Sequence, residues 1–178
     1  MSYFAAAVVR AADGWSASEV LLDDAADVED VADRLRDVDP SADVSLLFVE
    51  SDDAYLVILR LDGGEDLRVF GSDSAFAEES RMGALLLGDV GHPPVVIDIE
   101  LTPPDEDSTV DSEPIAPTAA APATVDPAGD ADLLVDLGVP ADRLLDLCSH
   151  EGMLPSDITA EVCQTLGCGD EIEELREA

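Results

Sequence analysis

The sequence predicts an α+β fold: a mainly antiparallel sheet with two helices over one face, followed by a Pro/Ala/acid-rich linker and a small all-α module. Three observations carry this. Short β-compatible runs in the first hundred residues are mostly joined by connections too brief for a crossover. Only two stretches there have helical spacing. At Thr102 the composition changes abruptly, and six of the eleven prolines fall between there and Gly129. The expected boundaries are 1–103 for the α+β domain, 104–129 for a disordered linker and 130–178 for the helical domain.

Tyr3–Arg10 and Trp15–Leu22 flank "AADG", a hairpin signature. "DVEDVADRLRDV" places Val28, Val31, Leu35 and Val38 on one helical face and acids on the other, with Asp27 as the cap and Pro40 as the stop. "DVSLLFVE" and "AYLVILRL" are strands joined by "SDD", and their continuous apolar runs place them centrally. "DGGED" is a second hairpin turn before the strand "LRVFGS". "SDSAFAEESRMGALLL" is helical in its first part, capped by Ser72 or Ser74, and "VVIDIEL" is a final strand. Beyond the linker, "DADLLVDLG" ends at Gly138. "PADRLLDLC" and "PSDITAEVC" each start with a proline at the first helical position, and "DEIEELREA" closes the chain. The middle two are near-repeats and predict a pair of packed helices. Tyr3, Phe4, Trp15, Phe48, Tyr55, Phe70 and Phe76 fall in these elements and read as core or sheet surface.

Charge narrows the function. Forty-two Asp and Glu face eight Arg, Lys is absent, and the net charge is −34. The acids are spread over all three regions, so the charge is not a tail. Such a chain repels phosphate backbones and anionic lipid, which argues against direct nucleic-acid or membrane binding and favours basic partners. Lys and Asn are both missing, so a GC-rich genome or a salt-loving host accounts for the same acidity without selection for binding. No run reaches the roughly 20 apolar residues of a membrane span. The N-terminus reads as a strand and not a leader, and three cysteines without a framework fit reduced thiols in the cytoplasm.

The residues that invite chemistry are Cys148, His150, Cys163 and Cys168. They have the ligand types for zinc but the wrong spacing: Cys-x-His is too short and no CxxC knuckle is present. Packing explains them better. Cys148 and Cys163 fall beside apolar helix faces. Gly167 is suited to the left-handed position ending its helix, with Cys168 closing a Schellman cap against Cys163. No metal or other cofactor is therefore expected. His150-Glu151 is not HExxH, no GxSxG elbow exists, "DGGED" is no phosphate loop, and His92 reads as a loop residue.

"MSYFAAAVVRAADGW", "VFGSD", "ESRMGALLLGDVG" and "LLVDLGVPADRLLDLCSHEGMLPSDI" resemble the tRNA adenosine deaminase-associated protein family of high-GC bacteria, across both domains but not the linker. The resemblance implies a companion of the deaminase and supplies no catalytic residues. The chain is not itself a zinc deaminase, because it lacks both His-x-Glu and Pro-Cys-x-x-Cys. The expectation is a non-catalytic, cytoplasmic accessory protein whose partner is the deaminase or another basic protein. Its candidate contact is the acidic helix face Asp27, Asp30, Asp33 and Asp37, which also reads as an ordinary solvated face. The alternatives are an α+β domain with a small-ligand or catalytic site assembled in three dimensions, and a phosphate mimic seated in a basic groove.

Overall fold

The structure, a computed structural model, describes residues 3–51, 54–88 and 127–178, without the side chains of 76–78. Six strands form one antiparallel sheet: β1 (Tyr3–Ala11), β2 (Gly14–Glu19), β3 (Val44–Ser51), β4 (Tyr55–Asp62), β5 (Asp66–Gly71) and β6 (Ala128–Gly129). Their order across the sheet is β2-β1-β3-β4-β5-β6. The helices are α1 (Val28–Val38), α2 (Ser74–Glu79), α3 (Arg81–Leu87), α4 (Ala141–Ser149), α5 (Pro155–Leu166) and α6 (Gly169–Glu177), with a 3-10 segment at Ala131–Leu137.

The two apolar strands are central, as their sequences require, and both are buried along nearly their whole length. Alternation sorts their side chains into two cores. Leu47, Val49, Val57 and Leu59 face one side, where Val31 and Leu35 of α1 and Leu86 and Leu87 of α3 cover them. Leu46, Phe48, Leu56 and Ile58 face the other, under Leu133, Leu134, Leu144, Ile158, Val162 and Ile172 of the C-terminal helices. The expected pair of helical regions does lie over one face. The helices after the linker lie over the opposite face and complete a three-layer body. Residues from the segments before and after the linker thus lie in one buried cluster.

Local chemistry sets the element ends. Asp27 Oδ1 accepts the N–H of Asp30 at 2.9 Å, and Asp30 Oδ2 accepts that of Ala26 at 3.0 Å, a reciprocal cap on α1. The second helical stretch differs from expectation. It reaches Leu87 as two helices, because Ser80 is extended between them and its Oγ accepts Gly83 N–H at 2.8 Å, capping the start of α3. Ser72 caps nothing, because its Oγ accepts Leu56 N–H from the sheet at 2.9 Å. Pro155 takes the first helical position of α5 as expected, whereas Pro140 sits one place earlier, at the cap of α4.

Two glycines are dictated by contact. A Cβ on Gly71 would lie 2.5 Å from Leu87 Cδ1, so the Leu87 side chain would have to shift for α3 to keep its seat on β5. Gly129 has φ 90°, and a Cβ there would lie 2.1 Å from Val69 O. The last residues expected in the linker, Ala128 and Gly129, instead form β6, paired with Gly71 and Phe70 of β5. The expected strand "VVIDIEL", His92, the Phe76 side chain and the rest of the linker lie outside the described residues.

Candidate functional site

The four acids singled out from sequence do share the solvent side of α1, and all are exposed. Their surroundings are less purely acidic than the sequence suggested. Asp27 and Asp30 are committed to the cap. Asp33 pairs with Arg36, whose Nε and Nη2 also reach Gly64 O in the β4–β5 turn at 2.9 and 2.6 Å. Arg34 donates to the carbonyl of Leu21. Only Asp37 has no hydrogen bond or ion pair among the described residues. The face is negative, with two arginines of α1 engaged along its length.

The cysteines pack as expected. Gly167 is left-handed at φ 89°. Cys168 N–H reaches Cys163 O at 2.9 Å and Gly167 N–H reaches Gln164 O at 3.3 Å, the two bonds of a Schellman cap. All three thiols are free and buried. Burial pushes the Cys148 thiol up to about 12. A hydrogen bond with Cys168, and burial after it, raises that of Cys163. Thiols held protonated are poor nucleophiles and poor metal ligands. His150 is exposed at the end of α4. Among the described residues no group of three or more His, Cys, Asp or Glu is placed to hold a metal ion.

Sequence reasoning passed over two charges inside the sheet. Arg60 is 4% exposed and Glu50 7%. Both point to the face that the C-terminal helices cover. Arg60 donates to Asp62 Oδ1 from Nε at 2.9 Å, to Asp136 Oδ2 from Nη2 at 2.8 Å, and to the carbonyl of Leu133. Its hydrogen bonds to Asp136 raise its own pKa and hold the Asp136 carboxyl below its usual range. For Asp62, partial burial works upward, but the bonds from Arg60 and Arg68 outweigh it and the net shift is down. Glu50 pairs with Arg176 of α6, which also lies over the Phe4 ring, 5.6 Å from its centroid. The signal was partial: Arg60 interrupts the apolar run "YLVILRL", whereas Glu50 follows "SLLFV" and reads as the first polar residue of the turn "ESDD".

A pocket of about 180 Å³ opens on the other face, lined by Tyr3, Leu22, Asp23, Ala25, Ser51, Ser80, Arg81, Met82 and Leu85. Ser80 and Arg81 belong to "ESRMGALLLGD", the stretch that most distinguishes this sequence.

A family model described as Rv3753c-like tRNA adenosine deaminase-associated protein matches residues 3–169. The chain belongs to that family. The matched span runs from β1 into α6, so it takes in both faces of the sheet, the buried charges and the pocket. The family is described as associated with the deaminase and not as the deaminase. No curated protein and no solved structure matches the chain. No helix among the described residues is long and apolar enough to cross a membrane.

Proposed function

We propose that the protein is a non-catalytic, acidic accessory protein of the cytoplasm that binds tRNA adenosine deaminase through the solvent side of α1, without binding nucleic acid itself. The observation that carries the reading is membership of a deaminase-associated family by a chain with a net charge of −34. An enzyme that grips tRNA must present cations to its phosphates. A strongly negative protein is drawn to that surface, and complementary fields speed the encounter. Asp30, Asp33 and Asp37, with Asp27 at the helix start, form a line of exposed carboxylates on a helix anchored to the sheet.

Asn can replace these acids without undoing α1, since an Asn side chain also accepts the cap hydrogen bonds. The test is therefore the binding of purified deaminase to the wild-type chain and to Asp30→Asn/Asp33→Asn/Asp37→Asn at low and moderate salt. The wild type should bind and weaken steeply with salt, because exposed charges are screened within about 10 Å at 0.1 M. The triple variant should fail to bind while unfolding at a similar temperature. Undiminished binding by the variant would sink the α1 contact. No binding by the wild type would sink the direct association.

A further inference from the structure

We propose that the pocket between the β1–β3–β4 end of the sheet and α3 binds a small monocarboxylic acid with an apolar body of about one ring, and that Arg81 is its carboxylate contact.

The pairing register sets Tyr3, Ser51 and Tyr55 side by side on the face covered by α1 and α3. The two phenols are pinned to different elements. Tyr3 Oη accepts Leu22 N–H at 2.9 Å, and the Tyr55 hydroxyl shares a hydrogen bond with that of Ser80. Ser51 lies between them and lines the pocket. It is 6% exposed, yet its hydroxyl makes no hydrogen bond with a described residue. No fully buried side-chain oxygen among the described residues is left unpaired, so the Ser51 hydroxyl stays open to the pocket, where a ligand or a water can reach it. The walls are Leu22, Ala25, Met82 and Leu85. A cavity of roughly 150 Å³ accommodates benzene, so the space here suits a single ring or a branched aliphatic of that size.

The charge at the rim selects the ligand's polar end. Seven arginines have partners: Arg10 lies over Trp15, Arg34 and Arg36 hold backbone carbonyls, and Arg60, Arg68, Arg143 and Arg176 form ion pairs. Arg81 alone has no partner among the described residues, in a chain with 42 acids. Asp23 lines the same pocket without forming an ion pair with it. A guanidinium fork matches a carboxylate in bidentate geometry. With Asp23 opposing it on the same rim, one guanidinium has room for a single carboxylate and disfavours polyanions.

The test uses the full chain with benzoate and 3-phenylpropionate as probes, and benzyl alcohol and benzylamine as neutral and cationic controls. Binding is read from amide shifts and from the melting temperature. Benzoate should bind saturably, raise the melting temperature by mass action and shift the amides of Leu22, Ser80 and Met82. Arg81→Gln, at an exposed position, should keep the fold and weaken benzoate by about tenfold or more, the scale of a charged hydrogen bond. It should leave benzyl alcohol unchanged. Ser51→Leu should fill the floor and exclude both, with folding checked by the same spectra. The proposal is overturned if benzoate does not saturate, if Arg81→Gln binds it as tightly as wild type, or if the shifts fall elsewhere.

Discussion

Arg60 Nη2 donates to Asp136 Oδ2 at 2.8 Å, joining β4 to the helices 76 residues further along the chain. The bond spans the whole linker. With Glu50–Arg176 at the opposite end of the same sheet face, it fixes the C-terminal layer at two charged points around a greasy centre.

Arg60 is buried while Asp136 is largely exposed, so the two should not be equivalent on mutation. Arg60→Leu removes a buried charge and frees Asp136 into water. Asp62→Ala with Asp136→Ala leaves the guanidinium buried without a counter-charge, which costs about 3–5 kcal/mol. Urea unfolding should show the double substitution as the more damaging by roughly 2 kcal/mol or more, with the slope of the transition unchanged. Equal losses would mean that the cluster contributes only as surface charge.

Acid should release this latch. Asp62 and Asp136 both titrate lower in the folded chain than the unfolded value near ~3.9. Their stabilisation is complete above that value and is lost as pH falls through their folded values. Acidification also relieves the repulsion among the other acids, so the comparison must be by difference. The stability gap between wild type and Asp136→Asn should be constant from pH 6 to about 5 and close below about pH 4. The single Trp15, in the cleft beside Glu171, Glu174 and Leu175 of α6, reports undocking by fluorescence.

Much of the fold was legible because its signals are local. The Asp-Gly turn, the cap at Asp27, the stop at Pro40 and the Gly167–Cys168 cap depend on a few neighbouring residues, and all stand where the sequence puts them. The docking of the last helices was legible in principle but needed a further step. "SLLFV" and "YLVIL" have no polar alternation, which in an antiparallel sheet means that both faces are covered. Two helical stretches in the first part of the chain can cover only one. The pocket had no sequence signature, since Tyr3, Asp23, Ser51 and Arg81 are brought together only by strand register and by the break at Ser80. The α1 acids were visible, but the engagement of Arg34 and Arg36 beside them depends on where the Leu21 and Gly64 carbonyls fall.

The shared core predicts mutual dependence of the two segments. Proteolysis should cut between 104 and 126, and the two products should elute together until denatured. Residues 1–103 expressed alone would expose Leu46, Phe48, Leu56, Ile58 and Phe70 and should bind a hydrophobic dye or aggregate. A soluble, dye-silent 1–103 fragment would instead support two independently folding units.

The thiols should be silent in the native state. With Cys148 pushed up to about 12, its thiolate fraction at pH 8 lies roughly a thousandfold below that of a free cysteine, and Cys163 is held further from ionising. A thiol reagent should react with all three only on denaturation. Rapid reaction of a native thiol would show that the α4–α5 region opens.

The claim at the centre is that the negative surface competes for the cationic surface by which the deaminase holds tRNA. The most direct measurement follows fluorescently labelled tRNA anticodon arm bound to the deaminase as this protein is added at low salt. Anisotropy should fall as the RNA is displaced. The displacement should fade at about 0.3 M salt, and Asp30→Asn/Asp33→Asn/Asp37→Asn should not cause it. A rise in anisotropy, marking a complex of all three molecules, or no change while the two proteins bind each other, would contradict it.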